Sequence, residues 1–170
     1  TNNAKKYAFS FETMFVDRSL FNSKRYSLSL GNRYRFNNKL TLSHSLNVSP
    51  QKNNAGFAAI SGSDIIFGRR DVESVENILN IKYSFSGKMS INTRIRHYWS
   101  EVHYKSFYTL QQDGGLAANN SFNQDVDQNY NAFNIDAVFT WQYAPGSFIN
   151  IVWKNAAYDF NRVTDHGYFK

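Results

Sequence analysis

Apolar and polar side chains alternate with a period of two along most of this chain, and Ile91-Asn92-Thr93-Arg94-Ile95-Arg96-His97-Tyr98-Trp99 shows the pattern at its clearest. On an extended backbone Asn92, Arg94, Arg96 and Tyr98 fall on one face, and Ile91, Thr93, Ile95 and Trp99 on the other. A half-buried soluble strand alternates too, but seldom for a dozen residues with rings on its apolar face and arginines on its polar one. A strand crossing an outer membrane meets both demands, because lipid takes the apolar face and a wet lumen takes the arginines.

The same pattern predicts seven strands. Residues 5–16 align Tyr7, Phe9, Phe11 and Phe15; residues 25–36 align Tyr26, Leu28, Leu30, Tyr34 and Phe36 against Arg25, Arg33 and Arg35; residues 39–49 align Leu40, Leu42, Leu46 and Val48. Residues 72–85 carry Val75, Leu79, Ile81, Tyr83 and Phe85, followed by 89–102. Residues 129–143 carry Phe133, Ile135, Phe139, Trp141 and Tyr143, and 148–158 carry Ile149, Ile151 and Trp153. Short turns at 37–38, 86–88 and 144–147 alternate with longer connections at 17–24, 50–64 and 103–128. Asn, Gly and Pro suit such tight turns.

The reading is an all-β fold, a transmembrane antiparallel meander β-barrel with short periplasmic turns and long extracellular loops. Seven strands cannot close a bacterial single-chain barrel, and an open edge leaves backbone groups unpaired in lipid at several kcal/mol each. Residues 1–170 are therefore expected to be the C-terminal portion of a barrel domain, lacking at least one final strand and others before Thr1. The tail from Asn161 to Lys170 does not read as a spanning strand.

Composition narrows the class. Aromatics reach 17%, with 15 Phe, 11 Tyr and 3 Trp, yet mean hydropathy is −0.54 and only 2 prolines occur. No stretch approaches the roughly 18 apolar residues of a spanning helix, and the chain is too aromatic for disorder. Zero cysteines exclude a disulfide scaffold, a thiolate nucleophile and a Cys-ligated metal. The net charge of +6 is spread over every strand instead of being gathered in one tract, which argues against nucleic acid.

Several runs in order also carry a resemblance: Phe67-Gly68-Arg69-Arg70-Asp71, Arg94 to Ser100, Phe107 to Gln111, Phe133-Asn134-Ile135-Asp136, Ala144-Pro145-Gly146-Ser147 and Val152-Trp153-Lys154-Asn155. Over roughly residues 60–160 the chain resembles the C-terminal barrel of a Bacteroidota outer-membrane family, domain-of-unknown-function family 5916. In that family a carbohydrate-binding module of family 9 type typically precedes the barrel, and a terminal aromatic strand usually follows. The resemblance implies location and architecture, and it carries no catalytic residues.

Candidate sites are few. His44, His97, His103 and His166 are scattered, with no i, i+2 pair on one strand face, so they do not read as a metal site. Asp125 and Asp127, with Asn123 and Asn129 nearby, form a weak calcium candidate that lacks the full loop signature. No serine stands in a Gly-x-Ser-x-Gly setting, so no catalytic residue is expected, and no cofactor. The stronger constellation is a set of charges of one parity: Arg33, Arg35, Glu76, Lys82, Arg94, Arg96, Asp136 and Lys154, together with Glu12. They are expected to line one lumen, either as a ladder of cross-strand pairs or as a wall biased toward anionic solutes. Asn80 should lie opposite Arg94, Glu76 opposite Tyr98, and Asp136 and Asn134 beside the two arginines. Arg69, Arg70 and Asp71 are expected in a rim loop, as a salt-bridge cluster or a recognition surface.

Three function classes follow. The first is an outer-membrane barrel serving as anchor, pore or part of an export or carbohydrate-uptake assembly. The second is a cell-surface carbohydrate-binding or carbohydrate-processing protein whose active module lies N-terminal to this chain. The third is a soluble ligand-binding barrel. Expected partners are outer-membrane lipid or lipopolysaccharide, the rest of the barrel, other outer-membrane proteins or lipoproteins, and a glycan.

Overall fold

Ring-bearing and β-branched side chains on alternate positions favour extended backbone, because they pack on a pleated surface. The computed structural model describes residues 5–162 and Tyr168. Nine strands form one antiparallel sheet: β1 (Tyr7–Arg18), β2 (Ser23–Arg35), β3 (Leu40–Val48), β4 (Gln51–Ser61), β5 (Asp64–Ser86), β6 (Met89–Leu110), β7 (Leu116–Ala118), β8 (Gln128–Ala144) and β9 (Ser147–Asn161). A 3₁₀ turn at Leu20–Asn22 joins β1 to β2, and no α-helix occurs among the described residues.

The path across the sheet is β1-β2-β3-β5-β6-β8-β9. β4 prolongs the line of β3 along one side of β5, with β3 beside Val75–Tyr83 and β4 beside Asp64–Val72. β7 adds three residues beside the far end of β6. The outer strands β1 and β9 each have one partner among the described residues.

Antiparallel Cα partners share a face. One face carries Phe9, Phe11 and Phe15 of β1, Leu28 and Leu30 of β2, Leu79 and Ile81 of β5, Ile95 of β6, Phe139 of β8 and Ile151 of β9. None of these is fully buried, and those on the outer strands are the most open: Phe11 is 61% exposed and Ile151 60%. Serines, amides and charges dominate the other face, with a few apolar residues such as Val138 and Val152 among them.

A row of partners Arg35–Thr41–Lys82–Asn92–Val138–Val152 crosses this second face. Measured along the strands, the row lies three residues from the turn centre at Asn38, five from that at Gly87 and seven from that at Pro145. Successive turns are thus staggered by about one residue per strand.

Two connections expected from the sequence are replaced by strand. Residues 50–64 form β4 and a tight turn at Gly62, whose φ of 60° suits a residue without a Cβ. Residues 103–128 are a loop only in part, since β6 runs on to Leu110 and β7 pairs with it. Both β5 and β6 are therefore more than 20 residues long.

The protein-covered core lies at this extended end. Ala58, Ile66, Val102, Tyr104 and Phe122 are buried together, with Val72, Phe107 and Val126 against them. Ile66 is completely buried. Phe122, from the segment between β7 and β8, meets the Phe107 ring edge-on at 4.7 Å.

Candidate functional site: the charged face of the sheet

The sheet register decides which charges meet. Ala8, Arg33, Ser43, Asn80, Arg94, Asp136 and Lys154 form one continuous row of Cα partners from β1 to β9. Arg35 and Lys82 lie in the neighbouring row, and Arg96 lies in the row on the other side, opposite Asn134. Glu76 faces Tyr98 one row further on. With Glu12, which lies opposite Ser29, all nine charges singled out in the sequence share this face.

Ion pairing across this face joins Glu76 to Arg96 and leaves Lys82, Arg94 and Lys154 apart from any carboxylate among the described residues. Glu76 reaches diagonally to Arg96, 2.5 Å from Nε, and the Arg96 guanidinium also lies 5.1 Å from the centre of the Tyr98 ring. Lys82, Arg94 and Lys154 have no carboxylate within 4.0 Å among the described residues, although Asp136 is the register partner of the latter two. The face therefore carries an excess of positive charge that its own acids leave uncompensated.

The opposite face handles its few polar groups differently. The Tyr7 hydroxyl donates to Asn32 Oδ1 at 2.7 Å, His44 Nε2 to Asn77 Oδ1 at 3.2 Å, and His97 Nε2 to Asn131 Oδ1 at 2.8 Å. Asn77 also donates to the Tyr168 hydroxyl at 2.8 Å, and the Tyr168 ring lies against Trp99. Polar groups set among apolar neighbours need such partners, since an unpaired one is costly there.

Arg69, Arg70 and Asp71 are not in a loop. They sit within β5, paired with β4 on one side and with Ser106, Tyr104 and His103 of β6 on the other, at a bulge that leaves Lys105 unopposed. Arg70 lies over Gly56, where a Cβ would come 2.1 Å from the guanidinium carbon. It donates to Asn54 Oδ1 at 3.1 Å and to the Tyr104 hydroxyl at 2.7 Å, and that hydroxyl donates to the Phe57 carbonyl.

Asp71 gathers Lys105 at 2.8 Å, the Asn53 N–H at 2.9 Å and Lys52 at 3.1 Å. Burial pushes its carboxyl up, but Lys105, the Asn53 amide and Lys52 together outweigh that and hold it below the usual carboxylate range. Lys52 and Lys105 escaped the sequence reading because a strand was read as loop and a bulge changed the parity.

The calcium candidates are also committed elsewhere. Asp127 accepts from the Tyr104 N–H at 2.7 Å and from His103 Nδ1 at 2.5 Å, while Asp125 accepts from the Asp127 N–H at 3.0 Å. These carboxylates staple the end of the β7–β8 segment to β6. No group of three or more metal-ligating side chains occurs among the described residues.

No curated protein and no solved structure matches this chain. A family model does match, over residues 1–170, which includes the first 60 residues as well as the stretch whose motifs carry the likeness. An all-β antiparallel sheet with one aromatic and one charged face is thus the form that this stretch takes in a member of the family described as Domain of unknown function (DUF5916).

Proposed function

We propose that this sheet is part of the wall of an outer-membrane β-barrel, serving as anchor or pore in the cell envelope, with the aromatic face toward lipid and the charged face toward a wet lumen. The observation that carries this reading is the partition of the two faces. Phe9, Phe11, Phe15, Trp141, Ile151 and Trp153 are exposed on one face, where polar residues hydrogen-bond to one another, and cations without a carboxylate partner among the described residues, Lys82, Arg94 and Lys154, stand on the other. A soluble ligand-binding barrel would instead turn this aromatic face inward and the charged face to water, so the two readings differ in which face lies inside.

The turn stagger agrees. One residue of about 3.3 Å per strand spacing of about 4.8 Å corresponds to a strand tilt of about 35°, within the range of closed barrels. A spanning strand needs about 9–11 residues, so the outer halves of β5 and β6, with the core of Tyr104 and Phe122, would stand clear of the membrane. The edges at β1 and β9 would be closed by further strands of the same barrel, because lipid cannot satisfy their backbone groups.

The test is planar-bilayer recording of the protein with and without Arg94→Glu plus Arg96→Glu. A conducting barrel whose selectivity shifts toward cations supports a lumen lined by this face. Conductance with unmoved selectivity overturns the assignment of faces, and the absence of conductance in both proteins eliminates the pore and retains the anchor.

A further inference from the structure

We propose that the turn end of the charged face holds a binding pocket for a dianionic tetrahedral oxyanion, formed by Arg35, Lys39 and Lys82 with the hydroxyls of Thr41 and Ser84. The register builds it. Arg35, Thr41 and Lys82 are successive Cα partners on β2, β3 and β5. The Ser84 N–H donates to the Lys39 carbonyl at 2.8 Å, which sets Lys39 beside Ser84 one row closer to the turn. Asn37 fixes that turn by accepting from the backbone N–H groups of Lys39 and Leu40, both at 2.8 Å. These side chains enclose a cavity of about 230 Å³.

Charge points to the ligand. No carboxylate lines this cavity, and neither Lys39 nor Lys82 has one within 4.0 Å among the described residues. The Lys39 and Lys82 charges share one space and repel each other, and an anion between them relieves that repulsion. A monoanion would leave the pair positive, whereas a dianion with several acceptor oxygens matches two ammonium groups and the neutral donors of Thr41 and Ser84.

A second cavity of about 680 Å³ shares Lys39, Lys82 and Ser84 with it and is lined also by Ser90, Thr140 and Gln142 and by Phe85, Met89 and Phe148. Hydroxyls and an amide beside apolar side chains suit an uncharged body with both hydroxyls and C–H faces, so the preferred ligand class is a phosphate or sulfate monoester of a small sugar-like molecule. The pocket rests on register and charge alone, independently of the membrane reading.

The test is calorimetric titration of the detergent-purified protein with inorganic phosphate and inorganic sulfate at about pH 8, where phosphate is mainly the dianion. One saturable site is expected. Lys39→Gln with Lys82→Gln should weaken it at least tenfold, while Lys39→Arg with Lys82→Arg should retain it. Lys154→Gln removes the same charge from the same face outside the pocket and should leave affinity within twofold. Tighter binding of phosphate assigns a phosphomonoester, tighter binding of sulfate assigns a sulfate ester, and equal affinity keeps a general dianion pocket. No saturable binding, or equal weakening by Lys154→Gln, overturns the proposal. A protein that binds phosphate but never conducts refutes the pore alone.

Discussion

Ile95→Arg tests which face meets the bilayer. Ile95 lies on the aromatic face between Leu79 and Ile135, six residues beyond the start of β6 at Met89. At about 3.3 Å per residue and a tilt of about 35°, it stands about 16 Å above the turn end, which on the proposed membrane reading is near the middle of an apolar band about 25 Å tall. Arginine at such a depth costs about 2–4 kcal/mol, less where the side chain can snorkel to an interface. Asn92→Arg is the matched control, three residues from the same strand end but on the charged face, between Lys82 and Val138. There the new charge would stay in water and meet the like charges of Lys82 opposite and Arg94 two residues along the same face, a cost of about 0.2–1 kcal/mol for each pair. A gap of about 2 kcal/mol corresponds to about a 30-fold difference in the folding equilibrium. Urea titrations of refolding into phosphocholine vesicles, followed by tryptophan fluorescence, measure both. Equal costs, or a larger cost at Asn92, would refute the orientation of the sheet.

Two further outcomes follow from the extended end of the sheet. Asp71→Asn should cost about 1–2 kcal/mol near neutral pH, because it removes the charged acceptor of Lys105, Lys52 and the Asn53 amide. Since the native carboxyl titrates below its ordinary value of 3.8, its contribution is complete above about pH 4 and disappears as pH falls through the lowered native value, so urea midpoints of wild type and variant should converge in acid. Gly68→Ala should cost about 1–3 kcal/mol in the same assay, since the added Cβ would sit 2.2 Å from the ring of Tyr104, which is pinned by Arg70 and the Phe57 carbonyl. A cost below about 0.5 kcal/mol would show that the ring can move aside.

Much of the sheet was legible because a period-two pattern reports parity directly, and parity reports the face. Arg94 opposite Asn80 and Glu76 opposite Tyr98 follow from alternation plus the tight turn at Gly87, whereas Arg94 beside Asp136 follows from parity and from β6 and β8 being neighbours across a long connection. β4 was not legible. Its opening Gln51-Lys52-Asn53-Asn54-Ala55-Gly56 is a poor strand by propensity, and Asn53 even takes a positive φ of 54°. Pairing with β5 and the Arg70 side chain lying over Gly56 supply what the local sequence does not. The outer part of β6 was hidden for another reason: the bulge opposite Arg69 and Arg70 shifts the parity by one, so the run beyond Tyr104 no longer alternates in phase. The basic pocket was half visible, with Arg35 and Lys82 flagged by parity, while Lys39, the first residue of the predicted strand 39–49, was not singled out, and the Ser84 hydrogen bond places it beside them.

If the aromatic face meets lipid as proposed, the knot of Ala58, Ile66, Val102, Tyr104 and Phe122 would give this sheet two stages of assembly with different driving forces. Water alone is enough to bring that knot together, because its apolar atoms are covered by protein. Its strands are neighbours in the chain, so closing it demands little loop entropy and can come early. Once formed, it holds β4, β5 and β6 in alignment before the aromatic face meets its final surroundings. A slip of one residue would turn every ring of that face inward, and a nucleus formed beforehand at one end of the longest strands is the natural safeguard against it.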